Sequence, residues 1–144
     1  MKTNRPERAF VDTNVFLRIL TADDAAQAEA AVDLLRAASR GEVELVANAV
    51  VMAEIVWTLA RAYRMNPSEI RRRVEAILNT PGVTFEDADI LLEAIDLYER
   101  TGVNYADAYH AAWAVTRGIP TAYTFDTRHF SRLGFDRVVN PLEP

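Results

Sequence analysis

Helix and strand signals alternate along almost the whole of this 144-residue chain. That alternation points to a parallel sheet with helices on its faces, because parallel neighbours need a crossover between them. The first apolar run, Ala9-Phe10-Val11, leads into a helix-like segment, Thr13 to Leu20. An alanine-rich helix is expected over Ala22–Arg40, stopping at Gly41, before a short strand at Val43–Ala47. Asn48 is placed to cap a helix over Ala49–Tyr63, and Asn66-Pro67 starts another through Leu78 with proline at its favoured first position. Pro81-Gly82 turns the chain into a strand at Val83–Phe85, and Glu86-Asp87 opens a helix that runs to Arg100 and ends at Gly102. Asn104–Arg117 is the next helix, closed by Gly118. Pro120–Phe125 reads as a strand, Thr127–Leu133 as a turn or short helix, and Val138-Val139 as a last edge strand. The expected fold class is α/β: a short parallel β-sheet flanked by helices on both faces.

Half of the residues are hydrophobic, and a chain of this length with that composition can bury one ordinary core, so a single domain over 1–144 is expected. With no cysteine in the chain, disulfides, thiolate metal sites and a cysteine nucleophile drop out together, and a reducing cytoplasm is the expected setting. Met1–Arg8 is polar and the run after it is too short for a signal-peptide core. The longest apolar stretch, Val43–Ala60, is interrupted by Glu44, Asn48 and Glu54. A bilayer span tolerates such groups only at a cost of about 2 kcal/mol or more each, so no membrane anchor is expected.

The formal charge of −5 gives no broad positive field, which counts against an extended duplex held by phosphate neutralisation. Lys2 is the only lysine among 16 basic residues. Arginine forks suit phosphate, and genomic base composition accounts for the bias equally well.

Elimination narrows the chemistry further. The five glycines, Gly41, Gly82, Gly102, Gly118 and Gly134, stand isolated at element ends, so neither a dinucleotide fingerprint nor a phosphate-cradling loop is present. The three serines lack a nucleophile-elbow context, and the two histidines lack metal-pair spacing. The single lysine lies in the terminal segment, which leaves Schiff-base chemistry without its key group. Acids remain. Asp12 ends the first strand run and Asp126 ends the late one, at the strand ends where open α/β sheets place their chemistry. Asp107 lies one turn into its helix, and Glu54 interrupts the otherwise apolar Val50–Leu59.

Each acid also has a plain structural explanation. Asp12 and Asp126 would cap the segments after them, Asp107 stands three residues after Asn104 as in a capping box, and Glu54 would share an exposed stripe with Thr58 and Arg61. Together they suggest one crevice in which clustered carboxylates repel unless a cation compensates. Oxygen donors without thiolate or histidine pairs favour Mg²⁺ or Mn²⁺. Such an ion activates water and steadies the leaving oxygen of a phosphodiester, so phosphodiester hydrolysis is the chemistry inferred.

At this point the chain resembles the PIN-domain ribonucleases, specifically the VapC-like toxins of bacterial and archaeal toxin-antitoxin pairs. The resemblance covers essentially the whole chain and rests on an ordered set: Val11-Asp12-Thr13-Asn14, Ala53-Glu54, Tyr105-Ala106-Asp107-Ala108-Tyr109-His110-Ala111, and Gly118 through Thr124-Phe125-Asp126. It implies a PIN-like fold with Asp12, Glu54, Asp107 and Asp126 as metal-binding and catalytic acids, of which Asp126 is the least secure as a direct ligand. Asn14 and Thr124 would orient acids or waters, with turn and strand-end hydrogen bonding as their alternative roles. The resemblance further implies Mg²⁺- or Mn²⁺-dependent cleavage of RNA, a homodimer, and neutralisation by a cognate antitoxin.

Other residues admit two roles. Arg71-Arg72-Arg73 is either an RNA-phosphate contact or a solvated helix face. Tyr105 and Tyr109 either stack on bases or pack in the core or at its rim. Trp57 and Trp113 are expected in the core or at a dimer interface, and Glu86, Asp87 and Asp89 at a helix N-terminus. Two competing functions stay open: a phosphatase using Asp12 as nucleophile, which the absence of a second aspartate two positions on and of an internal lysine disfavours, and a non-catalytic RNA- or protein-binding module on the same scaffold.

Overall fold

The structure is a computed structural model and describes residues 5–21 and 23–143. Its elements follow in the order β1 (Glu7–Phe10), α1 (Thr13–Thr21), α2 (Ala25–Ser39), β2 (Val43–Ala47), α3 (Ala49–Arg61), α4 (Pro67–Leu78), β3 (Val83–Phe85), α5 (Ala88–Thr101), α6 (Tyr105–Thr116), β4 (Thr121–Tyr123), α7 (Thr127–Phe130) and β5 (Arg137–Val139). The expected α/β alternation is borne out, and every strand pair is parallel. In one sheet the order is β1-β2-β3, with Phe10 beside Val46 and Ala47 beside Phe85. In a second, β4 pairs with β5, with Tyr123 beside Val139. Among the described residues, the strands preceding Asp12 and Asp126 therefore belong to two separate ladders, where the sequence suggested one sheet edge.

Sequence punctuation decides the helix ends. Asn48 accepts from Val51 N at 3.1 Å and Asn66 from Glu69 N at 2.9 Å, satisfying first-turn donors of α3 and α4. The alanine-rich helix starts later than expected, because Asp24 caps it by accepting from Gln27 N at 3.0 Å. Ala22, assigned to that helix from the sequence, and Lys2 lie outside the described residues. Asp87 occupies the cap position of α5 in a left-handed conformation (φ 56°) with no side-chain cap bond. Its carboxylate instead lies 3.8 Å from Arg117.

The core follows the helical period. Ile55 and Leu59, Ile70 and Val74, and Leu91 and Ile95 lie four residues apart, so each pair falls on one face, and all six are fully buried. Each such side chain contributes roughly 1.5–3 kcal/mol through removal from water. On α6 the inward positions are Ala108, Ala111 and Ala112, small enough to let α5 and α6 lie closely along one another. Gly82, at φ +81°, donates nothing to that core but shapes it: a Cβ there would stand 2.2 Å from the Ala38 carbonyl oxygen at the end of α2. Its own carbonyl accepts from Leu45 N at 2.8 Å and aligns β3 beside β2.

Candidate active site

Asp12 follows β1 after one residue, Val11, and is exposed, while its neighbour Thr13 is buried at the start of α1. One Asp12 oxygen accepts the Thr13 N–H at 2.8 Å, which leaves the other without a protein donor among the described residues. Glu54 sits on the outer side of α3, where the buried period Val51, Ile55, Val56 and Leu59 faces the opposite way. Asp107 is half-buried in the first turn of α6. Asn104 caps that helix through the Asp107 main chain, accepting its N–H at 3.0 Å. The Asp107 carboxylate makes no reciprocal bond, so the capping-box arrangement is only half formed and the acid stays available. α3, which carries Glu54, packs against α1, which Asp12 precedes, and against α6, which carries Asp107.

Asp126 is differently engaged. It caps the short α7, accepting from His129 N at 3.2 Å, while the His129 ring donates Nδ1–H to its other oxygen at 2.7 Å. The Thr124 hydroxyl accepts the Asp126 N–H at 3.0 Å and fixes the turn between β4 and α7. The ring of His129 followed by its main-chain N–H holds the Asp126 carboxyl below the ordinary carboxylate range. A folded-state value below the unfolded one means that this stabilisation is present above the ordinary carboxylate range and is lost as pH falls through the depressed value. An NMR titration of the Asp126 side-chain carbon should show that low midpoint, and His129→Ala should move it upward. A midpoint unchanged by His129→Ala would assign the shift elsewhere.

Asn14 is exposed beside the shallow cleft between α1 and α2, where Arg18 Nε donates to Gln27 at 2.5 Å. The donor chemistry suits a hard divalent ion: four carboxylates and no thiol. Their placement is looser than that chemistry needs. Among the described residues no three Asp, Glu or His side chains stand close enough together to hold one ion as they are.

A groove of about 640 Å³ runs beside Glu54, walled by Val50, Trp57, Tyr98 and Tyr105 and reached by Asn104. Trp57 is 63 % exposed with Arg61 over its ring, and Trp113 is partly exposed under Arg117 at 4.6 Å, so neither tryptophan is a core residue of the chain. Tyr105 is buried edge-on against Tyr98, and burial pushes its phenol above the ordinary value. It is therefore no surface stacking residue. Arg71 is bound by Glu75, Asp96 and Glu99 at 2.8, 3.0 and 3.2 Å, and Arg73 donates to the Glu69 carbonyl. Of the arginine run, Arg71 joins α4 to α5, Arg73 bonds within α4, and Arg72 is exposed. Sequence reasoning passed over His129, although its place three residues after Asp126, across one helical turn, was a usable signal. It also treated Glu86 as a helix-start acid, whereas Glu86 lines a cleft at the strand ends with Phe10 and Asn48.

Parallel strands joined by helical crossovers, with acids at Asp12, Glu54 and Asp107 on or next to adjoining elements, match a known family. The PIN-domain model matches residues 9–136, and the chain belongs to the PIN-domain family. Among curated proteins it is similar to a VapC ribonuclease of Aquifex aeolicus (strain VF5), with 29 % identity over 133 residues that cover 92 % of this chain and 96 % of that protein. No helix among the described residues is long and apolar enough to cross a membrane.

Proposed function

We propose that this chain is a metal-dependent endoribonuclease, the VapC-like toxin of a type II toxin-antitoxin pair acting in the cytoplasm. The observation that carries the reading is that Asp12 stands just before α1 while Glu54 and Asp107 stand on α3 and α6, with α3 packed against both α1 and α6, within a chain whose similarity to a VapC ribonuclease runs nearly end to end. Among the described residues, Asp12, Glu54 and Asp107 have carboxylate oxygens without protein donors, and they would hold Mg²⁺ or Mn²⁺. Asp126 would act as a direct ligand only by exchanging His129 for the ion, and otherwise supports the site from α7. A divalent ion bound there supplies Lewis acidity, lowering the pKa of water and offsetting charge at the phosphodiester. The chain's own contribution is to orient: Thr124 fixes Asp126, and the Asn104 side-chain oxygen accepts the Asp107 main-chain N–H and leaves the Asp107 carboxylate out of the cap. No side-chain nucleophile is needed.

The test is incubation of the purified protein with mixed cellular RNA, with Mn²⁺ or with excess chelator, followed by mapping of new ends. Defined cuts are expected with Mn²⁺ and none with chelator; undiminished cutting in chelator would remove the metal from the mechanism. The antitoxin, on this reading, is a separate protein that neutralises the chain.

A homodimer belongs to the same reading. Val50 and Trp57 expose apolar surface along the α3 groove, and a second copy covering it would bury both. Sedimentation should give a dimer, and Trp57→Lys a monomer, since a buried unpaired ammonium opposes association. A monomeric parent, or a dimeric variant, would place any self-contact elsewhere.

A further inference from the structure

The segment leading to Asp126 alternates in burial: Ala122 is buried, Tyr123 is 68 % exposed, Thr124 is half-buried and Phe125 is 70 % exposed. Thr124 N donates to the Val139 carbonyl at 3.0 Å, so the β4–β5 ladder reaches Thr124, and Phe125 lies in the bend that leads to α7. Two open aromatic rings therefore stand within three residues of Asp126, Tyr123 at the end of β4 and Phe125 in the bend after it. The same coupling of ring and acid recurs at the other strand end, where Phe10 is 65 % exposed two residues before Asp12.

Large apolar side chains this open are informative when they gather beside a polar site. We propose that Tyr123 and Phe125 form a stacking strip on which consecutive bases of an unpaired RNA strand lie as the strand enters the acidic site. The inference rests on the ribonuclease reading and names the side chains that would hold the strand by its bases.

Charge favours this occupant over an apolar partner surface. The chain carries −5 overall, so phosphate neutralisation cannot supply most of the affinity, and base contacts must. Locally the balance is different. Arg137 pairs in register with Thr121, which places it on the side of the ladder that carries Tyr123. Arg128 follows Phe125 by three residues, and both arginines are exposed. Neither forms an ion pair among the described residues, whereas Arg8, Arg36, Arg40, Arg71, Arg100 and Arg117 all do. Guanidinium groups flanking two open rings give a phosphate contact beside a base contact, the combination by which single strands are held.

The experiment measures binding by fluorescence anisotropy, with chelator present so that affinity is read without cleavage. The probes are a labelled mixed-sequence RNA oligonucleotide, the same strand with its bases removed, and its duplex. The parent should bind the base-bearing single strand tightest, and Tyr123→Ala and Phe125→Ala should each weaken it roughly ten-fold or more while leaving the abasic strand unchanged. Phe125→Trp should retain binding, and its added fluorescence should be quenched by RNA. Circular dichroism of each variant checks the fold, which exposed positions should not disturb. Equal affinity of the parent for base-bearing and abasic strands, or no binding of either, would overturn the strip, as would an alanine pair that altered only the oligomeric state. Cutting of RNA by a parent with no such preference would leave the ribonuclease reading standing without the strip. A strand held through its bases but never cut with Mn²⁺ would do the reverse.

Discussion

Asp12→Asn should abolish RNA cleavage while leaving the folded chain intact. The replacement keeps an oxygen where Asp12 now accepts the Thr13 N–H at 2.8 Å, so the entry into α1 is preserved, and the side chain is exposed, so no packing is lost. What disappears is the negative charge, together with a strong ligand for a hard cation. A loss of roughly a thousand-fold or more is expected, beyond the roughly 10- to 100-fold seen when only an outer partner of a metal site is changed. The measurement is cleavage of a mapped RNA substrate with Mn²⁺, alongside thermal denaturation of both proteins. A variant that melts like the parent and still cuts at the parental rate would take Asp12 out of the reaction.

The largest effect on stability is expected from Gly82→Ala. Its added carbon would stand 2.2 Å from the Ala38 oxygen and 2.4 Å from the Ala38 carbonyl carbon, with main chain on both sides of the clash. The left-handed backbone at φ +81° adds its own penalty of roughly 1–2 kcal/mol for a residue with a side chain. Relief requires moving the end of α2 away from the turn into β3, which also pulls Gly82 from its bond with Leu45. A loss of about 4 kcal/mol or more is therefore expected, in the range reserved for specific structural faults. Gly41→Ala is the control: its φ is +78°, yet nothing lies within 4 Å of the added carbon, so only the backbone penalty should appear. Urea unfolding of the two variants separates them, and equal midpoints would show that the Ala38 contact yields easily.

The sequence carried the element order well, because period and punctuation are local. Asn48, Asn66 and Asn104 were each legible as helix starts, and each accepts a first-turn N–H as its position suggested. Pairing was less legible. Nothing near Pro120–Phe125 says that its ladder is with β5 and not β1, since that choice is made by long crossovers. The extent of β4 was overread for a related reason: Thr124 and Phe125 still look like strand, but the Thr124 hydroxyl and the Asp126 cap turn the chain into α7. At the site, residue type and order pointed to the four acids, yet their convergence depends on rotamers and on whatever charge lies between them. The short helix expected after Asp126 is present as α7, and the bond from His129 to Asp126 follows from its spacing of three residues across that turn.

Among the described residues no strand pair is a hairpin, so each ladder closes a loop that contains at least one helix. By contrast α5 and α6 are joined by only Gly102, Val103 and Asn104, and close against each other over a minimal loop. Loop-closure entropy then makes the segment bearing Asp107 cheaper to organise from the unfolded chain than the β1–β2 partnership that presents Asp12. A site drawing on both acids would accordingly be complete only when the longer closure is made.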